Sequence, residues 1–339
     1  MGRVTIADVA SRAGVSSAAV SFALNGRVGV SEATRQRVLA VAAEMGWRPS
    51  SAARSLSIAK ADTIGLVLAR DPGMLGVESF YMQFIAGIEI ELERRSVGLL
   101  LQVVPSLEAE LGQYEVWQAS RRVDGVVCTD LRVDDPRVGV LSRPGALPAV
   151  LVGDASLTGG LTNVWTDDAT ATRTLVRHLW SEGHRRFVRV AGPPEYGHTR
   201  IRDDAFRDEV RRLGAEGTIV PTDYSPDQGA RATRDRLGVA GQRPTAFVYD
   251  NDVMALAGLS VAHSLGVRVP EDVSIVAWDD SPLCEAAYPR LTAMSHDVTG
   301  FGTHVTRRLF EVLEGQVGGS YLDSTPQLRL RGTSGPVAA

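Results

Sequence analysis

Nine side chains stand where apolar, β-branched runs of the chain give way to polar loops. Phe80 and Tyr81 follow the loop after residues 63–69, Thr129 closes 123–128, and Asp154 lies just past 149–153. Trp165 falls within 164–166, Arg200 follows Ala191-Gly192-Pro193, and Asn251 follows Tyr249. Asp279 follows Ala277-Trp278, and His296 follows 291–295. Carboxylates, an amide and a guanidinium answer the hydroxyls of a small polar ligand, and aromatic rings cover its apolar face. Asp252 reads as a helix N-cap more readily than as a ligand contact. Catalysis is the rival use of such a set, with Asp279 and His296 drawn as an acid–base pair. No G-x-S-x-G, H-E-x-x-H, P-loop or G-x-G-x-x-G accompanies them, and nothing supplies a nucleophile. Cys128 and Cys284 have neither metal nor redox spacing and are expected as buried thiols, so neither metal nor cofactor is predicted.

The elements that must position these residues alternate from residue 62 onward. Strand-length runs at 63–69, 97–104, 123–128, 149–153 and 164–166 are separated by helix-length amphipathic segments such as 82–95 and 108–120. The alternation continues with helices at 168–181, 199–213, 226–237 and 252–265, and strands at 187–191, 218–220, 246–249 and 273–277. Such alternation predicts parallel, helix-covered sheets, and the length suits two of them. Residues 291–295 and helix 298–313 read as a crossing back to the first sheet, and 328–330 as a last strand on the second. Ligands of such sheets bind outside the carboxyl ends of the strands, where the nine residues fall.

The first sixty residues follow another pattern. Thr5 caps a short helix with Asp8 at the capping-box position, and Gly14 stops it. Ser16 caps a second helix with Val20 and Leu24 inward, and Ser31 caps a third, running to about Met45, whose Val38, Ala42 and Met45 close a small core. Two helices joined by a glycine-containing turn describe a helix-turn-helix. Residues 48–60 then form a joint. Pro49 ends the preceding element, and a helix over 52–56 is too short to be stable alone in water.

The strings T-I-A-D-V-A-x-x-A-G-V-S-x-x-x-V-S-x-x-L-N, V-S-x-x-T-R-x-R-V and G-W-R-P-S-x-x-A-R-S-L, between Val4 and Leu56, resemble the head of the lac/gal repressor family of bacterial regulators. The resemblance implies a helix-turn-helix DNA-binding domain (1–47), a hinge helix and linker (48–61), and an effector-binding and dimerisation domain (62–339). The last is an α/β two-lobed body of periplasmic-binding-protein type, built of two doubly wound parallel sheets with three crossovers. Lobe 1 is expected at about 62–162 and 292–322, lobe 2 at about 163–291 and 323–339. The resemblance also makes Arg200 the guanidinium clamp after A-G-P, Asn251 an effector contact with Asp252 its structural partner, Asp279 a cleft residue, and Trp165 the aromatic after the lobe crossing. In such a head Thr5, Ser16, Ser17, Ala18, Ser21, Phe22, Asn25 and Arg54 meet DNA. Leu56 wedges into a minor-groove step. Ser17, Ala18 and Phe22 carry no bidentate donor for guanine, so the operator sequence does not follow from them.

Charge supports the division. Residues 1–60 carry eight Arg and Lys against three Asp and Glu, so 8 − 3 = +5, and the whole chain is −4, which leaves −9 for the rest. A basic head on an acidic body suits a polyanion at the head alone. The reading implied is a homodimeric regulator of carbohydrate-utilisation genes, binding a near-palindromic double-stranded operator under control of a sugar-type effector. Activation, co-repression or a non-sugar effector are the alternatives to effector-released repression. No apolar run is long enough for a membrane span and no secretory h-region follows Arg3, which predicts a cytoplasmic, nucleoid-associated protein.

Overall fold

The computed structural model describes residues 4–24, 28–47, 60–76, 78–238, 243–316 and 318–337. The expectations for Asn25, Arg54, Leu56 and the hinge helix fall outside them. The chain divides into two compact units, Met1–Asp62 and Thr63–Ala339.

The first unit holds three helices, α1 (Ile6–Ala13), α2 (Ser17–Leu24) and α3 (Glu32–Glu44). Thr5 and Asp8 form a complete capping box, with the Thr5 N–H donating to Asp8 Oδ2 at 2.8 Å. Their hydrogen bonds hold the Asp8 carboxyl below its usual range. Gly14 closes α1 at φ +64, a left-handed conformation that glycine adopts without strain. Val9, Ala10, Ala13, Val20, Ala23, Val38 and Ala42 are buried together, with Leu24 and Met45 packed against them.

The second unit is built on two six-stranded sheets. The first runs β11-β5-β4-β3-β1-β2, with β1 (Thr63–Ala69), β2 (Gly98–Val104), β3 (Gly125–Cys128), β4 (Ala149–Val152), β5 (Asn163–Thr166) and β11 (Ser320–Ser324). Every pairing in it is parallel. The second runs β12-β10-β9-β8-β6-β7, with β6 (Arg186–Ala191), β7 (Glu216–Pro221), β8 (Ala246–Tyr249), β9 (Ser274–Trp278), β10 (Thr292–Ser295) and β12 (Gln327–Arg329). Only β12, at its edge, is antiparallel. The buried strands are continuous apolar runs because helices cover both faces.

Two expectations about the lobes need correcting. Strand β5, assigned to lobe 2, pairs with β4 in the first sheet, and residues 292–295, assigned to lobe 1, form β10 of the second. Strand β11 was not expected at all. A parallel strand has no hairpin turn to name its neighbour, so these short segments reveal their sheet only through non-local pairing. Three crossings result, near 166–168, 295–298 and 324–327. Lobe 1 and lobe 2 are also bridged where Gly197 N–H donates to Leu131 O at 2.7 Å, beside an antiparallel bridge of Arg132 and Tyr196.

In lobe 1, α4 (Pro72–Leu75) and α5 (Ser79–Glu93) follow β1, α6 (Leu107–Ser120) follows β2 and α7 (Pro136–Leu141) follows β3. A later helix (Val298–Leu313) returns to pack on α5, and the two approach closely through glycine. A Cβ on Gly87 would collide with the backbone carbonyl of Thr299, and one on Gly302 with that of Phe84. Backbone cannot swing aside as a side chain can. Gly87→Ala is therefore expected to destabilise lobe 1 by about 1–3 kcal/mol, which thermal unfolding of the variant against the native chain measures.

Candidate functional site

The carboxyl ends of both sheets open on one cleft of about 1130 Å³, solvent at its mouth included. Phe80, Tyr81, Thr129, Asp154, Trp165, Asn251, Asp279 and His296 all line it. Arg200 does not. It is exposed on α9 (Gly197–Arg212), the helix after β6, and the arginine that enters the cleft is Arg202, two residues on. The helix buries Thr199, Asp203, Phe206 and Val210, so Arg202 shares their face, whereas position 200 is turned about 100° away. The phase of these buried residues was the signal that distinguishes the two arginines.

Arg202 is held on three sides. Its Nε donates to Asp168 Oδ2 at 2.9 Å and its Nη1 to Asp250 Oδ1 at 3.1 Å. Its guanidinium lies 3.9 Å from the Trp278 ring centroid. Asp168 starts α8 (Asp168–Ser181) directly after the crossing from β5, and it also accepts from Thr166 Oγ1 at 2.9 Å. Asp250 is fixed from behind. Its Oδ2 accepts from Arg189 Nη2 and from Gly192 N–H, both at 2.8 Å. Burial alone would raise the Asp250 carboxyl, but Arg189 and Arg202 hold it down at about 2. Arg189 lies wholly buried on β6 and reaches Asp203 as well, at 2.6 Å.

A second cluster faces it from lobe 1. Arg70, the first residue past β1, donates to Asp130 through Nε at 3.1 Å, to Glu78 through Nη1 at 2.9 Å and to Tyr81 through Nη2 at 3.3 Å. The Tyr81 hydroxyl also donates to Asp130. The rings of Tyr81, Tyr196 and Tyr224 lie 5.1, 5.3 and 5.4 Å from the Arg70 guanidinium, the last two reaching across from lobe 2. Burial pushes Glu78 up to about 7 despite Arg70, and lowers His198 to about 4. Arg70, Asp130, His198, Tyr224 and Asp250 were missed by sequence reading. Arg70 and Asp130 are strand-end residues that the same rule would have found.

The remaining expected residues differ in how free they are. Asn251 caps α10 (Asp252–Ser264), with Oδ1 accepting from Met254 N–H at 2.8 Å and Nδ2 donating to Tyr224 O at 3.1 Å. The cap is therefore Asn251 and not Asp252; both line the cleft, where Ser79 Oγ donates to Asp252 at 3.4 Å. The Asp154 carboxylate is used in the turn it starts, accepting from Ser156 N–H at 2.9 Å. Phe80 stacks on Phe84, Trp165 is half-buried at the end of β5, and Thr129 is buried. His296 Nδ1 is buried without a hydrogen-bond partner, and burial lowers its pKa. Asp279 holds φ +65, a strained conformation for a non-glycine residue, and burial pushes its carboxyl up to about 8 against the pull of Arg202.

In the first unit, Thr5, Ser16, Ser17, Ala18 and Phe22 are exposed and Ser21 is half-buried. Ser16 Oγ accepts from Ala19 N–H at 3.1 Å, and the Phe22 ring lies against Gly29. The start of α2 therefore presents small side chains with one aromatic ring a turn later.

A helix-turn-helix unit joined in one chain to a two-lobed α/β unit with a polar cleft defines a ligand-responsive DNA-binding regulator. Residues 5–50 match the bacterial regulatory proteins of the lacI family, and 176–334 match the periplasmic binding protein-like domain. The HTH-type transcriptional regulator CelR of Thermobifida fusca is 33% identical over 321 residues, covering 93% of each chain. A solved CelR–cellobiose complex is 29% identical with a TM-score of 0.73, covering 98% of this chain and 100% of that one. The lac repressor dimer bound to operator and the anti-inducer ONPF is 26% identical with a TM-score of 0.87, covering 98% and 99%. The chain belongs to the LacI family of bacterial regulatory proteins. It is a DNA-binding transcriptional regulator.

Two predictions follow from the buried charges. Arg189→Met leaves the buried Asp203 without its ion-pair partner and strips Asp250 of one of its two guanidiniums, and is expected to cost about 3–5 kcal/mol, read by chemical denaturation. Asp279 keeps its proton in the folded chain at pH values where the unfolded chain has released it. Its contribution is therefore full below about pH 4 and is lost as pH rises towards 8, by up to about 1.4 kcal/mol per pH unit. Asp279→Asn should flatten that fall in unfolding measurements between pH 5 and 8.

Proposed function

We propose that the protein is a cytoplasmic homodimeric repressor of carbohydrate-utilisation genes, whose operator affinity is set by a sugar-type effector in the cleft. The observation that carries this reading is the cleft lining. A guanidinium fixed between Asp168 and Asp250 shares the cleft wall with further carboxyl groups and with the aromatic residues Phe80 and Trp165. Hydrogen-bonding groups of this kind take hydroxyls, and the rings take the apolar face of a pyranose or furanose. The cleft holds this ligand without transforming it. The exposed start of α2, with Ser16, Ser17, Ala18, Ser21 and Phe22, would enter the major groove, with Thr5 at a phosphate. Asn25, Arg54 and Leu56 complete the DNA-facing set. Two-fold symmetry of the dimer requires a near-palindromic site.

The relatives support the reading through what they are: CelR has been solved with cellobiose, and the lac repressor as a dimer on operator. For the ligand to control DNA binding it must favour one lobe arrangement over another.

Calorimetry with a panel of mono- and disaccharides, repeated with a DNA fragment selected by binding, tests the reading. One sugar should bind and change DNA affinity, and DNA affinity should fall steeply with salt. Turnover of a bound sugar, or DNA affinity indifferent to salt, would overturn it. Arg202→Ala should weaken the effector at least tenfold while leaving DNA binding intact. Arg200→Ala, altering an exposed residue outside the cleft, should change neither.

A further inference from the structure

The cleft is unusually acidic. Seven aspartates and one glutamate line it: Asp130, Asp154, Asp167, Asp168, Asp250, Asp252, Asp279 and Glu78. Against these eight stand two guanidiniums, and both are already engaged. Arg70 gives all three of its nitrogens to Asp130, Glu78 and Tyr81, and Arg202 gives Nε and Nη1 to Asp168 and Asp250. The two cleft histidines add no charge at neutral pH, since burial keeps His198 and His296 neutral.

What remains for a ligand is a set of acceptors. Glu78 is 8% exposed, and its Oε2 is buried without a hydrogen-bond partner. Its Oε1 is the atom Arg70 holds. The Asp252 carboxylate stands close enough to Glu78 and to Asp279 for its charge to raise both, in addition to burial. Burial and crowding keep a proton on Asp279 and, in part, on Glu78, and a donor or a positive charge placed among the three groups relieves the cost of ionising them. A phosphate or carboxylate in the same place would add to it. Among the described residues no group of three His, Cys, Asp or Glu side chains is placed to hold a metal ion.

We propose that Glu78, Asp252 and Asp279 select a ligand that is uncharged or cationic, an unphosphorylated sugar or an amino sugar, and reject its phosphorylated and carboxylated counterparts. This rests on the sugar reading above for the ligand's skeleton, and on the cleft charges alone for its sign. Donor groups of the ligand, hydroxyl or ammonium, sit against the free Oε2 of Glu78 and against the carboxyl groups of Asp279 and Asp252, the last already accepting from Ser79. Arg202 and Arg70 serve to fix aspartates rather than to neutralise an incoming anion.

The test compares matched compounds on the full chain by calorimetry: neutral hexoses and disaccharides, their amino forms, their 6-phosphates and their uronic acids. Neutral or amino members should bind at least tenfold more tightly than the anionic forms of the same skeleton. A phosphate or uronate that binds as tightly as its neutral parent overturns the proposal. A charge-only comparison keeps it separate from the sugar reading. At equal pH and ionic strength, tris(hydroxymethyl)aminomethane, a polyhydroxylated cation, should raise the melting temperature above that in inorganic phosphate. The difference should shrink in Asp279→Asn and in Glu78→Gln. If no sugar binds but this difference is present, the sugar reading fails and the charge selection stands. If phosphate stabilises equally or better, the charge selection fails.

Discussion

Arg202 between Asp168 and Asp250 is the interaction on which the cleft depends. A buried carboxylate without a partner would neutralise or unfold its surroundings, because an isolated charge is expensive in low dielectric. Here charges alternate along a line: Asp203, Arg189, Asp250, Arg202, Asp168. Each interior member touches two of opposite sign, so no single removal is local. Arg189 never reaches the cleft, yet it holds the carboxylate that holds Arg202. Trp278 closes the remaining face of the guanidinium and prevents it from swinging to another partner. Helix phase brings Arg202 to the cleft, and Asp168, Asp250 and Trp278 fix its guanidinium there.

Backbone strain falls on the same rim. Asp130, Tyr224 and Asp279 all adopt positive φ at or just beyond strand ends, at about 1–3 kcal/mol each for non-glycine residues. In each case the preceding strand leads out of a buried sheet or its edge, and the turn aims a polar side chain back across the mouth. Tyr224 brings its ring to Arg70, and Asp130 meets the same arginine from its own lobe. The cleft is thus made by rigid sheets whose ends are bent inward. Strain of this size persists because the continuous apolar cores on either side of each sheet over-determine the strands.

The sequence made some of this legible and concealed the rest for physical reasons. Capping chemistry is local, so Thr5 with Asp8, Gly14, Ser16 and Ser31 could be read directly. Strand-helix alternation and the rule that ligands sit at strand carboxyl ends placed eight of nine expected residues on the cleft wall. The arginine failed because motif spacing was used where helix phase decides, and Phe206 and Val210 carried that phase. Asp252 was read as the cap in place of Asn251 because both adjacent residues are of capping type. Membership of β5 and β10 depended on partners more than ten residues away and left no local mark. Arg189 was invisible for a sharper reason: a charged residue inside a strand pattern reads as an exposed edge until its two aspartates are seen around it.

The crossing at 166–168 connects these points to function. Thr166 ends β5 in lobe 1, and two residues later Asp168 begins α8 in lobe 2 while receiving hydrogen bonds from both Thr166 and Arg202. This segment is one of three that join the lobes, and the Thr166–Asp168 hydrogen bond spans it while Arg202 holds Asp168 from the lobe 2 side. Across the mouth, Arg70 keeps Tyr196 and Tyr224 of lobe 2 against a lobe 1 guanidinium, and Ser79 reaches Asp252. A ligand seated between them touches residues of both lobes at once, so its binding energy differs between lobe arrangements. That difference, and not the ligand's affinity as such, is what can shift the equilibrium. The unengaged oxygens of Glu78 and Asp279 lie on opposite lobes, one on the loop before α5 and one beyond β9. A donor-bearing ligand of the kind proposed above would span them and so touch both lobes.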